Sequence, residues 1–241
     1  MHSLIYLGIA FALGLLLNKA KILPPQTPQR VNAFIINIAL PAIILLRIPN
    51  LSLNHEALLP IALAWLVIIG SATAIYVLGR YMQWPKEVTG ALLLVVPLSN
   101  SAYLGLPLIK AVYGVEALPY AILYDQFGNF IGVSVYAAII IAAFSPQQRQ
   151  TSWQSIAKTI ISFPPFIALI LGLLIEPSWF PQTLESLLTV LASTMGPLCM
   201  LIIGVQMRLS VPQTLIKPLA IGLGIKLFAA PMLVWIICHY A

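Results

Sequence analysis

The chain has 241 residues, 61% of them hydrophobic and only 7% charged, with a mean hydropathy of +0.99. A soluble domain carries about a quarter charged residues, so this composition cannot cover a water-facing surface, and the solvent of most of the chain must be a lipid bilayer. The net charge of +6 then reads as membrane topology, because basic residues collect in cytoplasmic loops, and not as an affinity for nucleic acid.

Apolar runs bounded by polar residues, proline or glycine predict eight spans, at about 3–20, 30–48, 57–80, 88–113, 117–144, 156–176, 184–207 and 214–239. Each is near the ~20 residues that cross a ~30 Å hydrocarbon core. The first contains "LIYLGIAFALGLLL" (4–17), which has the length of a signal-peptide core. No Lys or Arg precedes it, "NKAK" follows it, and no small-residue cleavage site stands there. It is therefore expected to stay as an uncleaved helix with the N-terminus outside. The second and third spans carry interior prolines, Pro41 and Pro60.

The fourth span contains "VVPLSNSAYLGLP" (95–107). Counted from an inner end near Val88 at ~1.5 Å per residue, Asn100 lies about 18 Å in, close to the midplane. Pro97 and Pro107 mark a helix break, with two half-helices meeting at "LSNSA", because proline removes an N–H and clashes with the preceding turn. Irregular backbone at that depth is tolerated only in a cavity lining or inside protein. A half-helix starting there points free N–H groups and a positive dipole end at the midplane, which suits a carboxylate. Ser99, Asn100 and Ser101 are therefore candidate substrate-binding residues. The alternative is a proline kink whose Ser and Asn side chains bond their own backbone.

In the fifth span Asp125 lies ~14 Å below the outer end, with Asn129 at i+4 on the same helical face. Gly128 and Gly132 in "GNFIG" are spaced for close helix packing. Lys226 lies near the midplane of the eighth span, either as a partner of Asp125 or as a contact for an anionic substrate. Ionisable groups at such depth cost at least ~2.5 kcal/mol on insertion scales and mark functional sites. Lys110, near an outer end, is expected to snorkel to the interface.

With the N-terminus outside, the inward loops hold Lys19, Lys21, Arg30, Arg80, Lys86, Arg149, Lys158, Arg208 and Lys217, nine of the twelve basic residues. Glu56, Glu116, Glu176 and Glu185 face outward, so the charge asymmetry selects this orientation. The sequence also repeats. Gly14 recurs as Gly172 and Pro60 as Pro218, both 158 residues on, while "PQT" at 25–27 and Pro41 recur 156 residues on, at 181–183 and Pro197. Five spans separate the copies, an odd number, so the second copy is inverted in the membrane, as in many secondary transporters. The expected organisation is a first five-helix repeat over 1–145 and the first three helices of an inverted second repeat over 156–241. Counterparts of the fourth and fifth spans fall beyond Ala241. The fold class is thus all-α, polytopic, with an inverted repeat and a broken fourth helix.

Nothing in the sequence resembles HExxH, a P-loop or GxSxG. His2, His55 and His239 are scattered, and Cys199 and Cys238 stand in apolar surroundings without a CxxC. No enzyme, metal site or cofactor is expected.

"NSAYLGLPLIKAVYG", followed by "YDQFGNFIG", resembles the auxin efflux carrier family, the plant PIN proteins and their bacterial permease relatives. "ALPAI", "IGVQM" and "KLFAAP" are similar to family segments too, so the likeness runs along the whole chain. It implies ten helices in two inverted repeats whose broken fourth and ninth helices cross at the substrate. It also implies a scaffold of the first two helices of each repeat, a mobile transport domain of the rest, and a homodimer as a common assembly. The substrate would be a small organic anion, a carboxylate, moved outward across the plasma membrane, or the inner membrane of a bacterium. Two other readings stay open. One is a non-transporting membrane receptor or assembly partner derived from a carrier; the other is a sodium-coupled symporter of the bile-acid type.

Overall fold

The computed structural model describes residues 2–51, 55–144, 152–176, 181–207 and 212–240. Among these residues the structure is helical, without strands. The helices are α1 (His2–Ala20), α2 (Thr27–Arg47), α3 (His55–Tyr81), α4 (Lys86–Val95), α5 (Leu106–Tyr113), α6 (Leu118–Phe144), α7 (Trp153–Ile161), α8 (Pro164–Leu174), α9 (Gln182–Gln206) and α10 (Gln213–His239). Five of them, α2, α3, α6, α9 and α10, are long and apolar enough to cross a membrane alone. α7 and α8 are long and apolar enough only together and are bent by 58° where they join, because Pro164 and Pro165 open α8 and push the preceding Phe163 to extended backbone (φ −76°, ψ 115°). The apolar part of α1, Leu4–Ala20, is shorter. The fourth predicted span consists of α4 and α5, each too short to cross alone. The chain is a multi-pass membrane protein. Asn54, Arg149, Trp179 and Arg208, which the predicted loops contain, lie outside the described residues.

Proline shapes the helices in a recurring way. Wider π turns at Ile35–Ala39, Ser101–Gly105 and Ile225–Ala229 run up to Pro41, Pro107 and Pro231. A proline in a regular helix clashes with the turn before it and leaves a carbonyl without a donor; the i→i+5 turn makes room for the ring. α9 answers Pro197 differently. Its ladder is interrupted at Thr194, where the hydroxyls of Ser193 and Thr194 bond Val190 O and Leu191 O at 2.7 Å each.

The chain forms two compact units. The first comprises Met1–Ala57, Asn100–Gln126 and Ile161–Leu209. In it α1 crosses α9 backbone to backbone: a methyl at Gly14 would strike Leu201 O, and one at Gly204 would strike Phe11 O. α8 lies on α2, where a methyl at Gly172 would stand 3.1 Å from Ile48 Cβ. Ile35, Ile44, Leu169 and Cys199 are fully enclosed in this unit. The second unit comprises Leu58–Ser99, Phe127–Ile160 and Ser210–Ala241. Its core joins Ile75 of α3 to Leu92 and Leu93 of α4 and to Val96, with Trp84, Ile140, Phe144 and Ile225 packed around them.

Candidate functional site

The interruption of the fourth span begins where α4 ends at Val95 and closes where the π turn starts at Ser101. Pro97 lies within it, buried. Pro107 stands beyond it, inside the resumed helix, where the π turn Ser101–Gly105 makes room for its ring.

On the second unit's side, the break leaves backbone groups without helical partners, and side chains of that unit meet them. Pro97 has no N–H to give Leu93 O; the Tyr136 hydroxyl donates there instead, at 2.7 Å. The Ser99 N–H, which a continuous helix would give to Val95 O, donates to Asn129 Oδ1 at 2.9 Å. Asn129 Nδ2 returns a bond to Ser99 O at 2.7 Å, so one amide holds both polar groups of residue 99. Lys226, half-buried in the π turn of α10, donates through Nζ to Val95 O and Leu98 O at 2.7 Å each. Its charge sits against the carbonyl end of α4, where the helix dipole favours a cation. Gly128 and Gly132 pack tightly on α3. A methyl at the first would overlap the Ala64 side chain, and one at the second would lie 2.9 Å from Ile68 Cδ1. Trp65 of α3 also donates from Nε1 to Phe127 O at 3.1 Å.

On the first unit's side, Asn100 is exposed and turns the chain with φ −91° and ψ 59°. Its carbonyl accepts from Leu104 N at 3.1 Å and Gly105 N at 3.2 Å, which starts the helix again. Asp125 is 3% exposed, and both its carboxylate oxygens are engaged. Ser101 Oγ donates to Oδ1 at 2.5 Å, and Gln126 Nε2 donates to Oδ2 at 2.7 Å. Gln126 is itself 1% exposed, and its Oε1 has no hydrogen-bond partner among the described residues. A buried acceptor left unmet costs ~1–3 kcal/mol, and in an enclosed polar cluster it marks a place for a donor or a cation.

The structure thus gathers the predicted residues into two groups. Ser99, Asn129 and Lys226 meet at the end of α4. Ser101 and Asp125 meet at the start of the resumed helix, with the exposed Asn100 next to Ser101 in the chain. Sequence reasoning missed Gln126 and Tyr136. Gln126 had a signal, as an amide beside Asp125 in an apolar span. Tyr136 had a weaker one, as a hydroxyl available to a carbonyl that Pro97 orphans. Lys110 is exposed, as snorkelling requires.

A family model described as membrane transport protein matches residues 1–241. A relative from Methanothermobacter thermautotrophicus, named an uncharacterized transporter, is 23% identical over 224 residues, which is 92% of this chain and 72% of that protein. Another, from Methanocaldococcus jannaschii and likewise named an uncharacterized transporter, is 27% identical over 196 residues, 77% of this chain and 62% of the relative.

Proposed function

Because the chain belongs to the membrane transport protein family, we propose that it is a secondary transporter that moves a small organic anion out of the cell by alternating access. The observation that carries the reading is the asymmetry of the break in the fourth span. The carbonyls of Leu93, Val95, Leu98 and Ser99 are all met by protein donors. The first N–H groups after the break, at Ser101, Ala102 and Tyr103, have no acceptor within their own helix. They carry the positive end of its dipole, which suits a carboxylate. The exposed amide of Asn100 stands at their start and adds a further donor.

An inverted repeat belongs to the same reading, and packing in the first unit supports it. The register that relates Gly14 to Gly172 by 158 residues and Pro41 to Pro197 by 156 also relates Ile48 to Gly204. Gly14 packs against Gly204, and Gly172 packs against Ile48. The contact between α1 and α9 therefore maps onto the contact between α8 and α2 when the copies are exchanged. The chain also passes from one compact unit to the other at Ser99/Asn100 and at Gln126/Phe127, within the two segments that carry the polar groups. Units able to move separately are what alternating access requires.

A cation-coupled form of the cycle has one observation in its favour, the unmet Gln126 Oε1 beside the Asp125 carboxylate. The full-length protein in proteoliposomes tests both forms against a panel of labelled mono- and dicarboxylates. Asn100→Ala should weaken carboxylate binding by about tenfold, the lower range for a hydrogen bond to a charged group. Replacing sodium by choline should leave flux unchanged unless a sodium ion occupies the Asp125–Gln126 oxygens. A parent protein that moves no carboxylate, or an Asn100→Ala variant with unaltered affinity, would overturn the anion site.

A further inference from the structure

We propose that the cleft at the α3–α4 turn is a binding site for the phosphate headgroup of an anionic membrane lipid. The turn joins two membrane-spanning segments, so it lies at a bilayer surface. It is tightly made: Gln83 takes a left-handed conformation (φ 52°), and Trp84 N bonds back to Gly79 O at 2.9 Å. α3 and α4 approach so closely at Gly79 that a methyl there would stand 2.9 Å from the Thr89 side chain. Above this contact opens a cleft of about 430 Å³, lined by Tyr76, Arg80, Trp84, Lys86 and Phe144 among others. All of these residues belong to the second unit.

The chemistry of the lining is that of an anion site at a membrane interface. Arg80 and Lys86 bring two positive charges, and no acidic side chain among the described residues lines the cleft. Both cations are held in place by aromatic walls. The Arg80 guanidinium lies 5.9 Å from the Tyr76 ring centre and donates to the Tyr76 hydroxyl at 3.1 Å, and Lys86 Nζ lies 6.0 Å from the Phe144 ring centre. Their remaining N–H donors are available to a phosphate.

A lipid, as opposed to a soluble phosphate, is indicated by what continues below the cleft. Leu66, Ile69, Thr73, Tyr76 and Arg80 follow one another at helical spacing, and all are exposed. Arg80 thus heads a largely apolar stripe of α3 that an acyl chain of the same molecule can follow. Basic pockets between membrane helices are known to hold anionic headgroups, and each Lys or Arg near the surface adds about a fivefold preference.

The test uses full-length protein in detergent, titrated with phosphatidylglycerol or phosphatidylcholine and followed by native mass spectrometry. Phosphatidylglycerol should bind in preference, and the Arg80→Gln/Lys86→Gln double variant should lose that preference by about tenfold or more. Lys19→Gln/Lys158→Gln, which removes the same charge elsewhere, should keep it. Equal phosphatidylglycerol affinity in the parent and the Arg80/Lys86 variant would overturn the site. So would glycerol phosphate binding as tightly as the lipid, since the acyl stripe would then contribute nothing. If the double variant fails to fold, a photoactivatable phosphatidylglycerol on the unaltered protein decides. Enrichment of label in residues 76–89 supports the site, and label spread evenly along the chain refutes it.

Discussion

Lys226 shows how a single residue can be read two ways. From the sequence, a cation at mid-membrane depth is a partner for Asp125 or a contact for a substrate anion. In the structure its ammonium bonds the carbonyls of Val95 and Leu98 and so caps the end of α4. Those carbonyls carry no letter of their own in the sequence, because they are main-chain groups orphaned by a proline and a bend. That is why deep polar residues such as Asn129 and Lys226 were legible as special, whereas their partners were not. Gln126 was overlooked for a related reason: what sets it apart is an oxygen that no donor among the described residues meets. If Lys226 caps the break, Lys226→Met should destabilise the protein in the absence of any substrate, by about 1–3 kcal/mol for two carbonyls that lose a charged donor. Lys226→Arg should keep most of that stability. Thermal unfolding in detergent, without added anion, measures both; an unchanged Lys226→Met variant would return the residue to a substrate role.

Among elements, the spans were legible because their length and apolar composition are imposed by the bilayer. What happens inside them was less so. The interior prolines are plain in the sequence, yet whether one is absorbed by a π turn, as at Pro41, or by an interrupted ladder, as at Pro197, depends on neighbouring packing. The segment Tyr124–Phe130 is also a π-helix. The i+4 relation of Asp125 to Asn129 therefore lacks its α-helical meaning, since the wider turn shifts which side chains share a face. Glycine spacing carried more information than it promised. Gly14 and Gly204 mark a crossing where two backbones touch, and Gly8 on the same helix has nothing within 4 Å. Gly14→Val should therefore cost about 1–3 kcal/mol or more through overpacking against backbone, whereas Gly8→Val should change little. Fluorescence-detected gel filtration after heating separates them; equal survival of both variants would show that α1 and α9 do not cross at these residues.

For the whole molecule, the expected repeat and the observed compact units divide the chain differently. The repeat read from sequence is contiguous, 1–145 followed by 156–241, whereas the compact units interleave segments from both halves. Periodic matches report relatedness along the chain, and contacts report which spans hold together, so neither division implies the other. The interleaving was not readable from spacing, since nothing in a span's composition names the span it packs against. Orientation, by contrast, is an expectation drawn from charge alone. With Cys199 and Cys238 replaced, single cysteines at Thr27 and Ser152 should react with a membrane-impermeant reagent only from the cytoplasmic face. A cysteine at Asn54 should react only from outside. Labelling of Asn54 and Thr27 from the same face would refute the assignment of the second span.

The amide of Asn129 grips residue 99 by its backbone N–H and C=O alone. Such a fastening does not depend on the side chain it holds. Position 99 can therefore be rewritten in related proteins, from serine to larger or more apolar residues, while the chain path through the break is kept. A lineage could in this way change what lines the break and what it admits, so long as the asparagine 30 residues further along the chain is left alone.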